Sequence, residues 1–158
     1  MLGTAEPAVV RSMLAALFLF GSLGTAAELV LLEHNEDIWQ LVPLVLIGIG
    51  CVSLAALTLT RAGVSVRAFQ LAMVLFIASG IAGVLLHYEG NVEFELELRP
   101  GAAGLELFWE AMKRAIPALA PGTMILLGAL GLACTYHYPA VRRPRTNGGR
   151  PSTCGCAR

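Results

Sequence analysis

Four long apolar stretches dictate what this chain can become. They run from about Met13 to Leu32, Leu41 to Thr60, Ala68 to Leu86 and Ala118 to Tyr138. Each approaches the roughly 20 residues that a helix needs to cross about 30 Å of hydrocarbon, and Glu28 is the only Asp, Glu, Lys or Arg within them. In lipid every backbone N–H and C=O must be satisfied internally, so only helices or closed barrels span. Continuous apolar runs exclude the alternating pattern of a barrel strand. Composition agrees: 56% of the 158 residues are hydrophobic and 14% charged, against about 45–50% and about 25% in a soluble domain. The expected fold is an all-α membrane protein, a four-transmembrane-helix bundle. A formal net charge of zero argues against nucleic acid as a partner.

The charges sort by side. The connection after the first span carries Glu33, Glu36 and Asp37, and the one after the second carries Arg61 and Arg67. The N-terminus, second connection and C-terminal tail together hold eight Arg and one acid, Glu6, a net of +7; the other side, with Glu28, holds ten acids and three bases, a net of −7. By the positive-inside rule both termini lie in the cytoplasm, as expected in a bacterial inner membrane. An alternative holds for the first span. Met13–Phe20 followed by Gly21-Ser-Leu-Gly-Thr-Ala-Ala27 has the form of a signal peptide, although the apolar run continues to Leu32 and fills a span.

One sizeable segment lies between spans, His87 to Pro117. Val92-Glu-Phe-Glu-Leu-Glu-Leu98 alternates strictly, so it reads as a strand with Val92, Phe94 and Leu96 on one face. It would pair through Arg99-Pro-Gly-Ala-Ala-Gly104 or with a second protomer. After it, Leu105, Phe108, Trp109, Met112 and Ile116 recur at helical spacing opposite Glu106, Glu110, Lys113 and Arg114, an amphipathic helix suited to the outer interface. Strand and helix form an acidic outer cap over residues 87–117, with Pro117 and Pro121 separating it from the fourth span. The tail, 139–158, is basic and rich in Pro, Gly and Ser, the composition of a disordered cytoplasmic segment near anionic lipid.

Within the spans, Ser22 and Ala26, Cys51 and Ala55, Ser79 and Gly83, and Ala129 and Ala133 stand at the spacing that lets helices approach closely. Gly48, Gly50, Gly128 and Gly131 belong with them. Gly21-x-x-Gly24-x-x-x-Glu28 and Gly80-x-x-Gly83-x-x-x-His87 suggest two tandem helical hairpins.

Chemistry, if present, is expected at the outer rim. Glu28, Glu33 and His34 close the first span, and His87 and Glu89 close the third. If those spans are neighbours, imidazoles and carboxylates converge in a set suited to zinc, iron, manganese or nickel. His34 and His87 could also ligate haem, but His34 lies beyond its helix end, which makes two-sided ligation awkward. His137 lies at the opposite surface beside Tyr136 and Tyr138. Cys51 and Cys134 fall within spans, and Cys154-Gly-Cys156 in a cytoplasmic tail stays reduced and could capture a soft metal ion. The missing Cys-x-x-Cys in the first span sets the chain apart from four-helix mercury-uptake proteins. No nucleophile–base pair, phosphate loop or dinucleotide fingerprint is present.

The strings Glu33-His-Asn-Glu-Asp-Ile-Trp-Gln40, His87-Tyr-Glu-Gly-Asn-Val-Glu-Phe-Glu95, Glu106-Leu-Phe-Trp-Glu-Ala-Met112 and Ala118-Leu-Ala-Pro-Gly-Thr-Met-Ile-Leu-Leu127 resemble those of small uncharacterised bacterial four-span inner-membrane proteins. The resemblance covers Glu28 to Tyr138. It implies fold and compartment, and no activity.

Three functional expectations follow. The first is a non-enzymatic membrane subunit or scaffold that contacts itself or another membrane subunit through the cap, with Val92, Phe94, Leu96, Leu105, Phe108, Trp109 and Met112 at the contact. The second is a metal-ion binding or transport protein using Glu28, Glu33, His34, His87 and Glu89. The third is a haem-carrying redox subunit. No cofactor is required by the first.

Overall fold

A computed structural model describes residues 6–31, 38–113, 119–136 and 138. Glu33, His34, Ile116, Pro117, His137 and the whole tail with Cys154 and Cys156 lie outside the described residues. Those described are all helical, in five elements: α1 (Glu6–Leu31), α2 (Ile38–Thr60), α3 (Gly63–Leu98), α4 (Gly104–Lys113) and α5 (Leu119–Cys134). Three of them, α1, α2 and α3, are long and apolar enough to cross a membrane, and α5 is a shorter apolar helix of 16 residues. Their outward surfaces are as apolar as their cores. Leu17, Phe20, Leu23, Val52, Leu59, Leu71, Ile81 and Leu126 are all exposed, a distribution that water would not tolerate and lipid favours.

The long helices form an antiparallel bundle in which α5 packs between α1 and α3, and α2 closes the ring between them on the other side. α1 and α3 therefore stand diagonally opposite. They meet through aromatic rings on the bundle axis: Phe18 lies edge-on to Phe69, centroids 5.6 Å apart, and 5.8 Å from Phe76. Ile47, Leu54, Leu57, Met73, Met124 and Leu127 fill the space around them.

The α3–α5 contact is the closest in the fold, because glycine faces backbone in both directions. A Cβ on Gly80 would come 2.5 Å from the Pro121 carbonyl oxygen, and one on Gly128 would come 2.7 Å from that of Met73. Of the small-residue pairs read from spacing, Ser22 and Ala26 turn inward, but Ala129 and Ala133 face outward along with Ala55 and Gly48. Periodicity finds small residues on one face; it does not say which face meets a neighbour. A polar clasp crosses the interface, where Gln70 Nε2 donates to Thr135 Oγ1 at 3.2 Å.

The expected strand is overturned. Val92–Leu98 is helical and forms the last turns of α3, a single 36-residue helix. The reason is local and cooperative. Extending a formed helix fixes one residue per hydrogen bond, whereas a strand needs a partner that no described segment offers. Glu and Leu are also good helix formers. The segment Arg99-Pro-Gly-Ala-Ala-Gly104 still reverses the chain, now between two helices, and Gly104 takes φ +63° at the start of α4. Pro121 falls in the first turn of α5, where its missing N–H has no intrahelical partner to lose.

Candidate functional site

The cap is a helical hairpin made of the end of α3 and the whole of α4. At 1.5 Å per residue, Ala68 to Leu86 spans about 28 Å, and α3 then continues about 18 Å further to Leu98. Arg99 staples the turn. Its Nε donates to Glu95 Oε1 at 2.8 Å and its Nη2 bonds the same oxygen. The guanidinium then reaches Glu106 at 3.5 Å and Glu110 at 3.7 Å on α4. Glu95 itself is 1% exposed, the one acid buried among the described residues. Hydrogen bonding to Glu95, and then its charge, raise the Arg99 pKa above its ordinary value. Arg99 therefore stays protonated throughout the working pH range.

At the other end of the hairpin, Asn91 Nδ2 donates to the Ala111 carbonyl at 3.1 Å. This satisfies one of the C-terminal carbonyls that α4 cannot pair within itself. Tyr88 and Phe108 rings lie 5.8 Å apart across the two helices. The face of α4 turned to α3 is Leu107 and Ala111. The apolar residues read from spacing turn away: Leu105 is 80% exposed, Trp109 58% and Met112 52%. Phe108 is also exposed, as are Phe94 and Leu96 on α3, while Val92 is half-buried. Leu105 and Trp109 floor an open groove of about 440 Å³ flanked by Glu106 and Glu110.

The metal-ligand expectation draws on both ends of the bundle diagonal. Glu28 is exposed on the last turn of α1, His87 is half-buried on α3 and Glu89 is exposed. The spans that carry them are not adjacent, which was the condition for convergence. Among the described residues, no three of His, Cys, Asp and Glu come together as a metal site. Glu33 and His34 lie outside those residues.

Arg99 and Asn91 are the residues that sequence reasoning missed. Glu95 and Arg99 stand four apart, a helical pair that meets because Val92–Leu98 is helix and not strand. Nothing in the sequence marks Asn91 as a cap for a carbonyl twenty positions away.

No family model, no curated protein and no solved structure matches the chain.

Proposed function

We propose that the chain is a four-span protein of the bacterial inner membrane, of the small four-span kind its motifs resemble. Both termini are cytoplasmic, and its role is that of a non-enzymatic subunit or scaffold that holds another membrane protein through the cap. Support for the fourth span comes from the course of α5. It runs against α3 from Gly83, which meets Pro121, to Gln70, which bonds Thr135, about 20 Å of rise. A helix that follows a spanning helix over most of the roughly 30 Å of hydrocarbon supports a fourth crossing. The charge asymmetry then sets the orientation.

The observation that carries the scaffold reading is the apolar face of α4, turned outward and held there. Headgroup layers are about 5–8 Å thick on each side of the hydrocarbon. The hairpin tip, with Leu98 and Leu105 exposed, stands about 18 Å beyond Leu86 along α3. Phe108 and Trp109 lie nearer the bundle, within reach of the interface; Leu105 does not. An apolar edge too far out for lipid is supported best by a protein partner, and the flanking Glu106 and Glu110 favour one that brings an apolar side chain beside a basic group.

Photo-crosslinking in native membranes tests this. A photoreactive residue at Leu105 should give a discrete adduct with a second copy or another membrane protein, while one at the lipid-facing Leu126 should give lipid adducts. Absence of any protein adduct at Leu105 would sink the scaffold reading. Separately, a single cysteine at Leu105 in a cysteine-free background should react with an impermeant maleimide added outside; protection there, with reaction only after lysis, would overturn the topology.

A further inference from the structure

The outward face of α4 specifies the shape and charge of what can cover it. Leu105, Trp109 and Met112 stand at i, i+4 and i+7 and are all exposed, so they form one stripe about 10 Å long on the side away from α3. That spacing is the seam along which one helix packs on another. The groove on this face is lined by four residues, Leu105, Glu106, Trp109 and Glu110. A hole made of four side chains of one helix is what receives a single side chain of a facing helix. An extended segment has no comparable seat, because the described hairpin is helical on both arms and presents no strand edge.

The hole is apolar on one side and acidic on the other. Arg99 is bonded to the buried Glu95 and reaches Glu106 at 3.5 Å and Glu110 at 3.7 Å, and Lys113 Nζ lies 3.3 Å from Glu110. Three carboxylates thus share two bases. The Glu106 side chain remains 70% exposed. Over the described hairpin, residues 87–113, six Glu stand against Arg99 and Lys113, a net of −4. A second copy does not answer this charge. Two copies in one membrane share an orientation, so a two-fold contact sets Glu106 beside Glu106 and Glu110 beside Glu110, a like-charge juxtaposition that costs affinity.

We infer that the occupant of this face is a cationic amphipathic helix of another protein, lying along α4 with an apolar side chain in the Leu105–Trp109 hole and a Lys or Arg against Glu106 and Glu110. The inference rests on the scaffold reading and adds what the held protein must present. Lys113 beside Met112 marks the other end of the stripe, so the bases of the docked helix lie toward the hairpin tip.

The test uses the whole protein in phosphatidylcholine nanodiscs and a fluorescent helical peptide of Leu and Lys, with its leucines at i, i+4 and i+7. Anisotropy is read against empty discs, which report binding to lipid alone. The basic peptide should bind above that level, and a peptide with Glu in place of each Lys should not. Glu106→Gln with Glu110→Gln should weaken binding about three- to tenfold. Glu93→Gln with Glu97→Gln removes the same charge from exposed positions on α3 outside the groove and should weaken it less. Glu106→Lys should shift the preference toward the acidic peptide, a gain that misfolding does not produce. Binding no greater than to empty discs would overturn the inference. Equal binding of the two peptides, or equal losses in the two double variants, would do the same. If photo-crosslinking at Leu105 still yields a protein adduct after such a result, the scaffold reading stands and only the cationic helix falls; if it yields none, both fall.

Discussion

Replacing Gly128 by alanine tests whether the α3–α5 contact holds the bundle together. The new Cβ would stand 2.7 Å from the Met73 carbonyl oxygen, 2.6 Å from Ile77 Cγ1 and 3.2 Å from the Ile77 amide nitrogen. Ile77 can turn its side chain aside; the Met73 carbonyl is part of the helix and cannot. Ordinary contact begins at 3.4 Å, so the helices must part by about 0.7 Å, and a gap of that order forfeits a quarter to a half of each dispersion contact along the seam. Overpacking of this kind costs about 1–3 kcal/mol, while replacing glycine inside a helix returns about 0.5–1 kcal/mol. The net expectation is a loss centred near about 1 kcal/mol and at most about 2.5 kcal/mol. Gly24 supplies the control, because a Cβ there meets nothing within 4 Å and only the helix gain remains. Reversible unfolding in mixed micelles, titrated with sodium dodecyl sulfate, reads both. Gly128→Ala should unfold earlier and Gly24→Ala no earlier than wild type. Equal stability of Gly128→Ala and wild type would refute the close backbone packing, and so would a Gly24→Ala loss of the same size.

Other outcomes follow from the same packing. Ser22 is fully buried and its Oγ has no hydrogen-bond partner among the described residues, so Ser22→Ala should be neutral or stabilising by up to about 1 kcal/mol; a clear loss in the same unfolding titration would mean that the hydroxyl is bonded. Phe18→Ala removes the ring that joins α1 to Phe69 and Phe76, and should destabilise by less than the about 3–5 kcal/mol seen in soluble cores, since lipid solvates the unpacked surfaces and only the packing is lost. Arg99→Ala should speed amide exchange across 95–111 with little change in the spans, measured by hydrogen–deuterium exchange; unchanged protection would mean that the staple does not hold the hairpin. Elemental mass spectrometry of the purified protein addresses the rim histidines and carboxylates: about one bound divalent ion per chain, lost in His87→Ala, would revive the metal reading, and no ion is the outcome that the separation of α1 and α3 favours.

How much was legible depended on the range of the interaction. The positions of α1, α2 and α3 followed from apolar runs alone, because lipid imposes the same requirement on each helix wherever its neighbours are. The amphipathic α4 was also readable, from Leu105, Trp109 and Met112 at helical spacing. The end of α3 was misread, since strict alternation in Val92–Leu98 mimics a strand and the sequence does not show that the preceding helix continues through it. Small residues were found but assigned to the wrong faces at Ala129 and Ala133.

The sequence by itself determined that the chain is a helical membrane protein whose charges gather between and beyond its apolar runs, because hydropathy and charge act residue by residue through the solvent. Tertiary structure decided everything that depends on who meets whom. It placed α1 across from α3, turned the apolar face of α4 away from its own hairpin, and brought Gln70 and Thr135 into one hydrogen bond from 65 positions apart. In lipid, apolar helices gain nothing from burying apolar surface as such. The choice of neighbours therefore falls to close backbone fit at Gly80 and Gly128, a matter of shape that no periodicity records.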